Sequence, residues 1–381
     1  MIEVIDLVKT YTGSTTPAVA GVSFTVPQGG FYTLLGPSGC GKTTTLRCIA
    51  GLERPDSGTI RLGQTVVVSD RVFIPTFRRD IGMVFQNYAV WPHMTVFENV
   101  AFPLRVGKEK RTGAAIDRKV LEALELVGLN GLEKRMATQL SGGQQQRLSV
   151  ARALVREPDV LLLDEPLSNL DAKLRERMRS ELLLIQRRVG ITTLFVTHDQ
   201  VEALSMSDRI AVMDQGRIVQ EGTPREIYHA PANEFVAGFI GSTNLFPGRV
   251  VARDAGGQLV IETGAGQLRA EGDGIDAGAA PGASVMVAIR PENIVLHRAD
   301  AGPAGGANML AGGVEIGLFT GTSVEYHVRV AGQLLQARVS SRVDFARGDA
   351  IRVELPAESI RVFSLAGGSA AAAARAIPTA E

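Results

Sequence analysis

The sequence predicts an α/β domain with a mostly parallel sheet over about residues 1–240, followed by a smaller all-β domain. In the first part, short β-branched runs alternate with longer helical patterns, the order typical of strand–helix–strand units. After residue 241, short alternating runs separated by turn residues take over, which is typical of a small barrel or sandwich. The length of 381 residues also exceeds the roughly 100–200 of one domain.

The elements of the first domain follow from these patterns. Strands are expected at residues 2–7, 22–26, 31–35, 81–85, 160–163, 192–196 and 210–213. Helices are expected at residues 42–50, 95–106, 114–127, 143–155 and 171–188. Residues 88–155 hold helical patterns and no good strand, so a helical subdomain inserted into the sheet is expected there.

The second domain, residues 241–365, is expected to be built from strands alone. They are placed at residues 258–262, 284–289, 293–297, 314–318, 324–330, 334–339, 350–354 and 360–363. Residues 299–313 are rich in Gly and Ala and are expected to be a loop. Residues 366–381 are alanine-rich and of low complexity, so a disordered tail is expected, with an isolated helix as the alternative.

The composition excludes several classes of protein. Lys plus Arg and Asp plus Glu both total 40, so electrostatic attraction to nucleic acid or an anionic membrane is disfavoured. Two cysteines, Cys40 and Cys48, argue against a disulfide framework or a CxxC metal site and favour a reducing compartment. Apolar runs fall far below the roughly 18 residues of a membrane-spanning helix, and the N-terminus has no signal-peptide pattern.

Residues 36–43 read Gly-Pro-Ser-Gly-Cys-Gly-Lys-Thr, follow a predicted strand and open a predicted helix. That context distinguishes a phosphate-binding loop from a chance glycine turn, because backbone N–H groups and the helix N-terminus converge on an anion there. Lys42 is expected at the β- and γ-phosphates of a nucleotide, and Thr43 at a magnesium ion.

Two further segments suit phosphate chemistry. The apolar strand 160–163 ends in Asp164 and Glu165 at the carboxyl edge of the sheet. Asp164 is expected to hold Mg²⁺ through water and Glu165 to act as general base, although such a pair alone would be a solvated turn. Ser141 can cap a helix whose start, Gly142 and Gly143, leaves N–H groups bare for a second anion.

Together these motifs resemble the ATP-binding subunit of an ABC transporter over residues 1–240, and they occur in that family's order. The resemblance implies Walker A at 36–43, a signature at 140–144, Walker B at 160–165, a Q-loop at Gln86, a D-loop at 168–171 and a switch histidine at His198. It implies that ATP and Mg²⁺ are bound, with Glu165 and His198 catalytic and with Thr43, Gln86 and Asp164 at the metal. The remaining nucleotide-binding residues implied are Tyr11, Gly36, Pro37, Ser38, Gly39, Cys40, Gly41, Lys42, Thr44, Ser141, Gly142, Gly143, Gln144 and Asp171.

The same resemblance implies partners. ATP is sandwiched between Walker A of one subunit and the signature of another, so a homodimer is expected. The region around Tyr88 and Trp91 is expected to contact integral membrane permease subunits, which act with a periplasmic or surface solute-binding protein. A peripheral position on the cytoplasmic face of the cell membrane follows from this.

The all-β region resembles the extra, oligonucleotide-fold-like (TOBE) domain of importer ATPases, partly through residues 289–294, Ile-Arg-Pro-Glu-Asn-Ile. With 12 Arg, no Lys and 14 acidic residues after residue 240, a dimerisation or regulatory role is favoured over nucleic-acid binding. Residues 241–246 resemble the corresponding segment of polyamine and ferric-iron importer ATPases more than that of sugar importers, which implies polyamine or ferric iron as the solute, with sugar, glycerol phosphate or another solute as the alternative. An ABC ATPase of DNA repair or translation, a P-loop kinase or GTPase, and a purely regulatory nucleotide-binding module are the rival classes.

Overall fold

The computed structural model describes residues 1–106, 112–254, 256–276, 278–300 and 308–365. The chain divides into two compact units, Met1–Ile227 and Tyr228–Glu381. The alanine-rich tail predicted at residues 366–381 and residues 301–307 of the Gly/Ala-rich loop lie outside the described residues.

The strands and helices of the first unit are these. The strands are β1 Ile2–Lys9, β2 Val19–Val26, β3 Phe31–Leu35, β4 Ser57–Leu62, β5 Thr65–Val68, β6 Ile81–Val84, β7 Val160–Asp164, β8 Thr192–Thr197, β9 Arg209–Asp214 and β10 Arg217–Gly222. The helices are α1 Lys42–Ala50, α2 Val96–Arg105, α3 Gly113–Leu126, α4 Gly142–Leu154, α5 Ala172–Val189, α6 Gln200–Met206 and α7 Pro224–His229, the last of which ends in the second unit.

The central sheet has the strand order β10-β9-β3-β8-β7-β6, in which β9, β3, β8, β7 and β6 are parallel and β10 is antiparallel. Strand β7 is buried along its whole length because both faces of the sheet are covered. Leu161 and Leu163 belong to the core cluster formed with α2–α5, whereas Val160 and Leu162 belong to the cluster formed with α1 and a second sheet. That second sheet is antiparallel, in the order β2-β1-β4-β5.

The described residues of the second unit form α8 Glu234–Phe239 and ten strands. The strands are β11 Asn244–Arg253, β12 Leu259–Thr263, β13 Gly266–Ala270, β14 Ser284–Ile289, β15 Val295–Arg298, β16 Met309–Phe319, β17 Ser323–Val330, β18 Gln333–Ser340, β19 Ala350–Glu354 and β20 Arg361–Ser364. They form two five-stranded antiparallel sheets, in the orders β13-β12-β11-β14-β20 and β15-β19-β16-β17-β18. Both sheets contribute side chains to one core cluster.

Two of the strand and loop boundaries predicted in this unit differ from the structure. Residues 293–297 were expected to be one strand, but Pro291–Asn293 form a 3-10 turn and β15 starts at Val295. Residues 309–313, expected in the Gly/Ala-rich loop, are the first half of β16 and pair with β19. Gly312 and Gly313 obscured this strand in the sequence because glycine has no β preference.

Asn244 ties the two sheets of this unit together. Its Oδ1 accepts from Gln336 N at 2.7 Å and its Nδ2 donates to Gln336 O at 2.8 Å, so the side chain from β11 completes the edge of β18. Asn244 itself is 8% exposed, and its two hydrogen bonds to Gln336 are partly buried.

We expect Asn244→Ala to lower the free energy of unfolding of the second unit by about 1–3 kcal/mol, because two partly buried backbone groups lose their partner. Denaturant unfolding followed by circular dichroism measures the change. The exposed Gln267 on β13 provides the control, since Gln267→Ala should be neutral. Equal stability of the two variants would contradict the bridging role.

Candidate functional site

Most of the polar residues predicted from the motifs meet at the carboxyl edge of the central parallel sheet. The loop after β3 carries Gly36, the end of β7 carries Asp164 and Glu165, the end of β8 leads to His198, and Gln86 follows β6. These four strands are neighbours in the sheet. Their carboxyl ends therefore form the crevice in which open α/β sheets bind ligands.

The phosphate-binding loop is shaped by glycines. Gly41 has φ 105°, and a Cβ there would lie 2.2 Å from Ala18 O. A Cβ on Gly36 would lie 2.3 Å from Met213 O. Helix α1 then begins without a side-chain cap, so its first N–H groups stay available to an anion.

We expect Gly41→Ala to destabilise the protein by about 2–4 kcal/mol and to abolish ATP binding, because strain and a backbone clash combine. Thermal unfolding and a fluorescent-nucleotide titration measure the two effects. Gly113→Ala is the control, since a Cβ at Gly113 meets no atom within 4 Å. A Gly41→Ala protein with native stability and affinity would show that the loop adapts.

Lys42 lies inside this loop. Its side chain is 5% exposed, and Nζ donates to Gly36 O at 2.8 Å and to Pro37 O at 2.9 Å. The Cys40 thiol lies beside the same ammonium group, and burial raises the pKa of that thiol. The ammonium group of Lys42 is thus held by two carbonyl groups of the loop. A bound anion can replace these carbonyls as the partner of the ammonium group.

Thr43 and Asp164 offer oxygen ligands side by side. Thr43 Oγ1 donates to Asp164 Oδ1 at 3.3 Å. Asp164 is 7% exposed, and burial raises the pKa of its carboxyl group, with the Thr43 hydrogen bond acting in the opposite direction. A buried carboxylate beside a hydroxyl fits a hard cation such as Mg²⁺, which prefers oxygen and relieves the cost of desolvating the charge.

Glu165 lies at the centre of a second group. Its Oε2 is 3.0 Å from His198 Nδ1 and accepts from Gln86 Nε2 at 3.5 Å. Its backbone is in the left-handed region, with φ 45°, and Ser168 Oγ donates to its carbonyl at 2.9 Å. Glu165 N also donates to Val196 O on β8, which sets the carboxylate beside the end of that strand.

Tyr11 lies beside the phosphate-binding helix. Its hydroxyl is 3.3 Å from Thr44 Oγ1, and its side chain is 40% exposed. Lys9 Nζ lies 5.6 Å from the ring centroid. One face or edge of this ring is thus available to a flat ligand.

The residues predicted as the signature form the start of α4. Ser141 Oγ accepts from Gln144 N, and Gln144 Oε1 accepts from Ser141 N at 2.9 Å, which is a capping box. Gly142 is exposed, whereas Gly143 is buried with a would-be Cβ 3.0 Å from Leu174. Among the hydrogen bonds and ion pairs found between described residues, none joins Ser141 or Gln144 to the phosphate-binding loop.

Asp171, predicted to contact nucleotide, caps a helix in the structure. Its Oδ1 accepts from Leu174 N at 3.0 Å at the start of α5. Asn169, two residues earlier, was not singled out from the sequence, yet its Nδ2 donates to Gln86 O at 2.8 Å. It thereby connects this loop to the Q-loop. Its place between Ser168 and Asp171 was the available signal.

Tyr88 and Trp91, predicted to contact the permease, are half-buried rather than fully exposed. Trp91 packs on Phe102 of α2 with ring centroids 4.4 Å apart. Tyr88 and Phe97 pack against the core cluster of the helical subdomain. One side of each of these aromatic rings therefore packs against other residues of the helical subdomain.

Comparison with known proteins identifies the family of this chain. Residues 19–168 match the ABC transporter family model, and residues 287–363 match the TOBE domain model. The chain is 44% identical over 375 residues to the trehalose/maltose import ATP-binding protein MalK of Thermococcus litoralis, covering 97% of this chain and 99% of that one. This chain belongs to the family of ABC transporter import ATP-binding proteins.

Other members are similarly related. The spermidine/putrescine import ATP-binding protein PotA of Acidothermus cellulolyticus is 47% identical, over 94% of this chain and 90% of its own. The Fe(3+) ions import ATP-binding protein FbpC of Agrobacterium fabrum is 47% identical, over 82% and 83%. Among solved structures, the ATP-binding cassette MJ0796, a dimer in a post-hydrolysis state with ADP and Pi, is 30% identical with a TM-score of 0.52, over 59% of this chain and 99% of that one.

These similarities confirm the predicted fold class, an α/β P-loop ATPase domain followed by an all-β TOBE domain. They also confirm the predicted activity, since an import ATP-binding protein of the ABC family hydrolyses ATP and couples this to transport. The rival classes, DNA-repair or translation ATPases, kinases and regulatory modules, are therefore set aside. In the part of the chain that the structure describes, every helix is too short or too polar to cross a bilayer.

Proposed function

We propose that this ABC importer ATPase binds Mg²⁺-ATP at the loop 36–43 and hydrolyses it with Glu165 as general base. The observation that supports this most strongly is the position of the Glu165 carboxylate, 3.0 Å from His198 Nδ1 at the edge that also holds Thr43 and Asp164. A carboxylate at this edge can accept a proton from a water molecule directed at a γ-phosphate.

In this proposal each residue has one task. Lys42 exchanges its carbonyl partners Gly36 O and Pro37 O for phosphate oxygens as ATP enters. Thr43 and Asp164 would hold Mg²⁺, which would supply positive charge to neutralise the phosphates. Gln86, whose amide donates to Glu165, would be a further ligand to the ion. His198 contacts the γ-phosphate and orients Glu165.

Two copies complete the site. The chain carries one phosphate-binding loop and one signature, and ATP is held between the loop of one copy and Ser141, Gly142, Gly143 and Gln144 of the other. The dimeric cassette MJ0796 supports this arrangement. Asp171, at the start of α5, faces the partner in this assembly.

The experiment is phosphate release by the purified full-length chain. We expect hydrolysis that requires Mg²⁺, is abolished by EDTA, and rises more steeply than linearly with protein concentration as dimers form. Linear dependence on protein concentration would argue against a two-chain site.

The solute is proposed from relatives. The relatives compared are named for spermidine/putrescine, Fe(3+) and trehalose/maltose at 44–47% identity. We propose polyamine or ferric iron first and sugar as the alternative. The chain docks on permease subunits at the cytoplasmic face of the inner membrane, through Tyr88 and Trp91, and a solute-binding protein delivers the solute.

The complex purified with its permease and binding protein tests the solute. We expect spermidine or Fe³⁺, and not maltose or trehalose, to stimulate its ATPase activity. Stimulation by the sugars alone would establish the alternative.

Tyr11 is proposed to stack on the adenine ring. We expect Tyr11→Ala to raise the KM for ATP about 5- to 30-fold with little change in kcat, as loss of base stacking predicts. Tyr11→Phe keeps the ring and removes only the hydroxyl near Thr44, so its KM should stay close to that of the parent. An unchanged KM in Tyr11→Ala would remove Tyr11 from the site.

A further inference from the structure

Arg152, near the end of α4, is nine-tenths buried and holds the segment that follows the Q-loop. Its Nη2 donates to Tyr88 O at 3.0 Å and its Nη1 to Ala89 O at 2.5 Å. Its Cζ lies 4.7 Å from the centroid of the Trp91 ring. A single side chain of α4 thus contacts three residues of this segment, residues 87–95, which we call the Trp91 segment.

The conformation of the Trp91 segment depends on such contacts. Tyr88 and Ala89 have φ angles of 56° and 48°. The left-handed region is unfavourable for a residue other than glycine. Hydrogen bonds from a cation to both carbonyls offset this cost, since such charge-assisted bonds are stronger than neutral ones.

The other end of the segment is held by α2. Asn99 is fully buried, accepts from Trp91 N at 2.8 Å and donates to Trp91 O at 3.1 Å and Thr95 O at 3.0 Å. Arg152 of α4 and Asn99 of α2 thus both form hydrogen bonds with the Trp91 segment. The segment is therefore fixed to the helical subdomain by two helices.

The start of α4 also lies near this segment. A Cβ on Gly142 would lie 3.7 Å from the Tyr88 hydroxyl. Tyr88 therefore lies between the two ends of α4. Its hydroxyl group is near Gly142, and its backbone carbonyl accepts a hydrogen bond from the guanidinium of Arg152. Both ends of α4 therefore lie close to Tyr88.

We propose that Arg152 is a positioning residue that makes the Trp91 segment and the signature helix move as one body. The inference rests on the proposed function, in which permease subunits contact this segment and the signature contacts ATP of the other copy. A displacement of the segment then moves Ser141–Gly143 relative to that ATP. By the reciprocity of coupled equilibria, closure of the dimer on ATP displaces the segment.

This reciprocity allows a test with the full-length chain and ATP alone. Spin labels on cysteines introduced at the exposed residues His93, in the Trp91 segment, and Arg188, on α5, report the distance between segment and ATPase core. The native cysteines are buried, Cys40 at 3% and Cys48 at 0% exposure, so labelling is selective. The Glu165→Gln background holds the ATP-bound dimer.

With Arg152 present, we expect MgATP to shift the distance between the labels by a few ångström, the scale on which packed elements move between two states. In Arg152→Met the dimer still forms but the shift falls to a small fraction of its size, because only Asn99 then holds the segment. Arg152→Lys keeps a positive charge near the Trp91 ring but cannot donate to both carbonyls as the guanidinium does. This variant should fold if Arg152→Met does not, and the shift should be strongly reduced. Arg147→Met, which removes another arginine of α4 from its ion pair with Glu181, should keep the full shift.

The outcomes are distinguishable. If size-exclusion chromatography shows no ATP-dependent dimer even with Arg152 intact, the proposed function fails. If the dimer forms and the shift persists in a folded Arg152 variant, or is absent with Arg152 intact, the inference about Arg152 is overturned.

Discussion

Glu165→Gln is expected to lower kcat for ATP hydrolysis at least about 100-fold, the range that a positioned general base contributes. The substitution keeps the shape of the side chain and its contact with Gln86 but removes the carboxylate that we propose accepts the proton from water. The affinity for ATP should stay within about threefold of the parent, because Lys42, Thr43 and Asp164 are untouched. ATP then accumulates in the closed dimer.

Three measurements check this expectation. Phosphate release gives kcat, a fluorescent-nucleotide titration gives the affinity, and size-exclusion chromatography with MgATP gives the dimer. Glu181→Gln is the matched control, since Glu181 pairs with Arg147 and Arg177 on the surface of α5, away from the sheet edge. Hydrolysis by Glu165→Gln at a near-parental rate would remove Glu165 from the role of general base.

In the proposed mechanism His198 positions Glu165, whereas Glu165 itself accepts the proton. His198 contacts Glu165 through Nδ1, and its side chain is 54% exposed. Both residues stand at strand ends, so the central sheet fixes their separation rather than a flexible loop. In the proposed mechanism, two residues 33 positions apart in sequence would therefore act on one phosphate.

The sheet edge was predictable from sequence because each strand that forms it is a short, nearly continuous apolar run. β3 and β7 gave the strongest signals, since both are buried along their whole length. Strand β11 was missed because it contains Pro247 and Gly248, residues that argue against a strand. Strand β10 was missed because its exposed, polar edge shows no apolar alternation.

The site was only partly predictable for a different reason. Motif residues such as Lys42 and Glu165 lie in recognisable spacings. Arg152 and Asn99 act through backbone carbonyls of residues far away or in irregular conformation, and such partners leave no pattern in the sequence. Asn169, which bonds Gln86 O across 83 positions, belongs to the same class.

Lys42→Met is expected to raise the dissociation constant for ATP about 100-fold or more, because a buried ammonium that would contact two phosphates is replaced by a thioether. Methionine matches the length of lysine, so packing among the loop residues is largely kept. The variant loses the donor to Gly36 O and Pro37 O, which leaves two carbonyls directed into the loop and adds repulsion toward phosphate oxygens.

Isothermal titration with MgATP measures the affinity, and thermal unfolding without nucleotide shows whether the loop itself is destabilised. Lys119→Met is the control, since Lys119 pairs with Glu157 at 2.5 Å on the surface and its loss should leave ATP binding unchanged. The two readouts separate the causes: a lower melting temperature with unchanged affinity would mean that Lys42 serves the fold of the loop. A large loss of affinity at native stability means that the cation buried among loop carbonyls is kept there for the nucleotide.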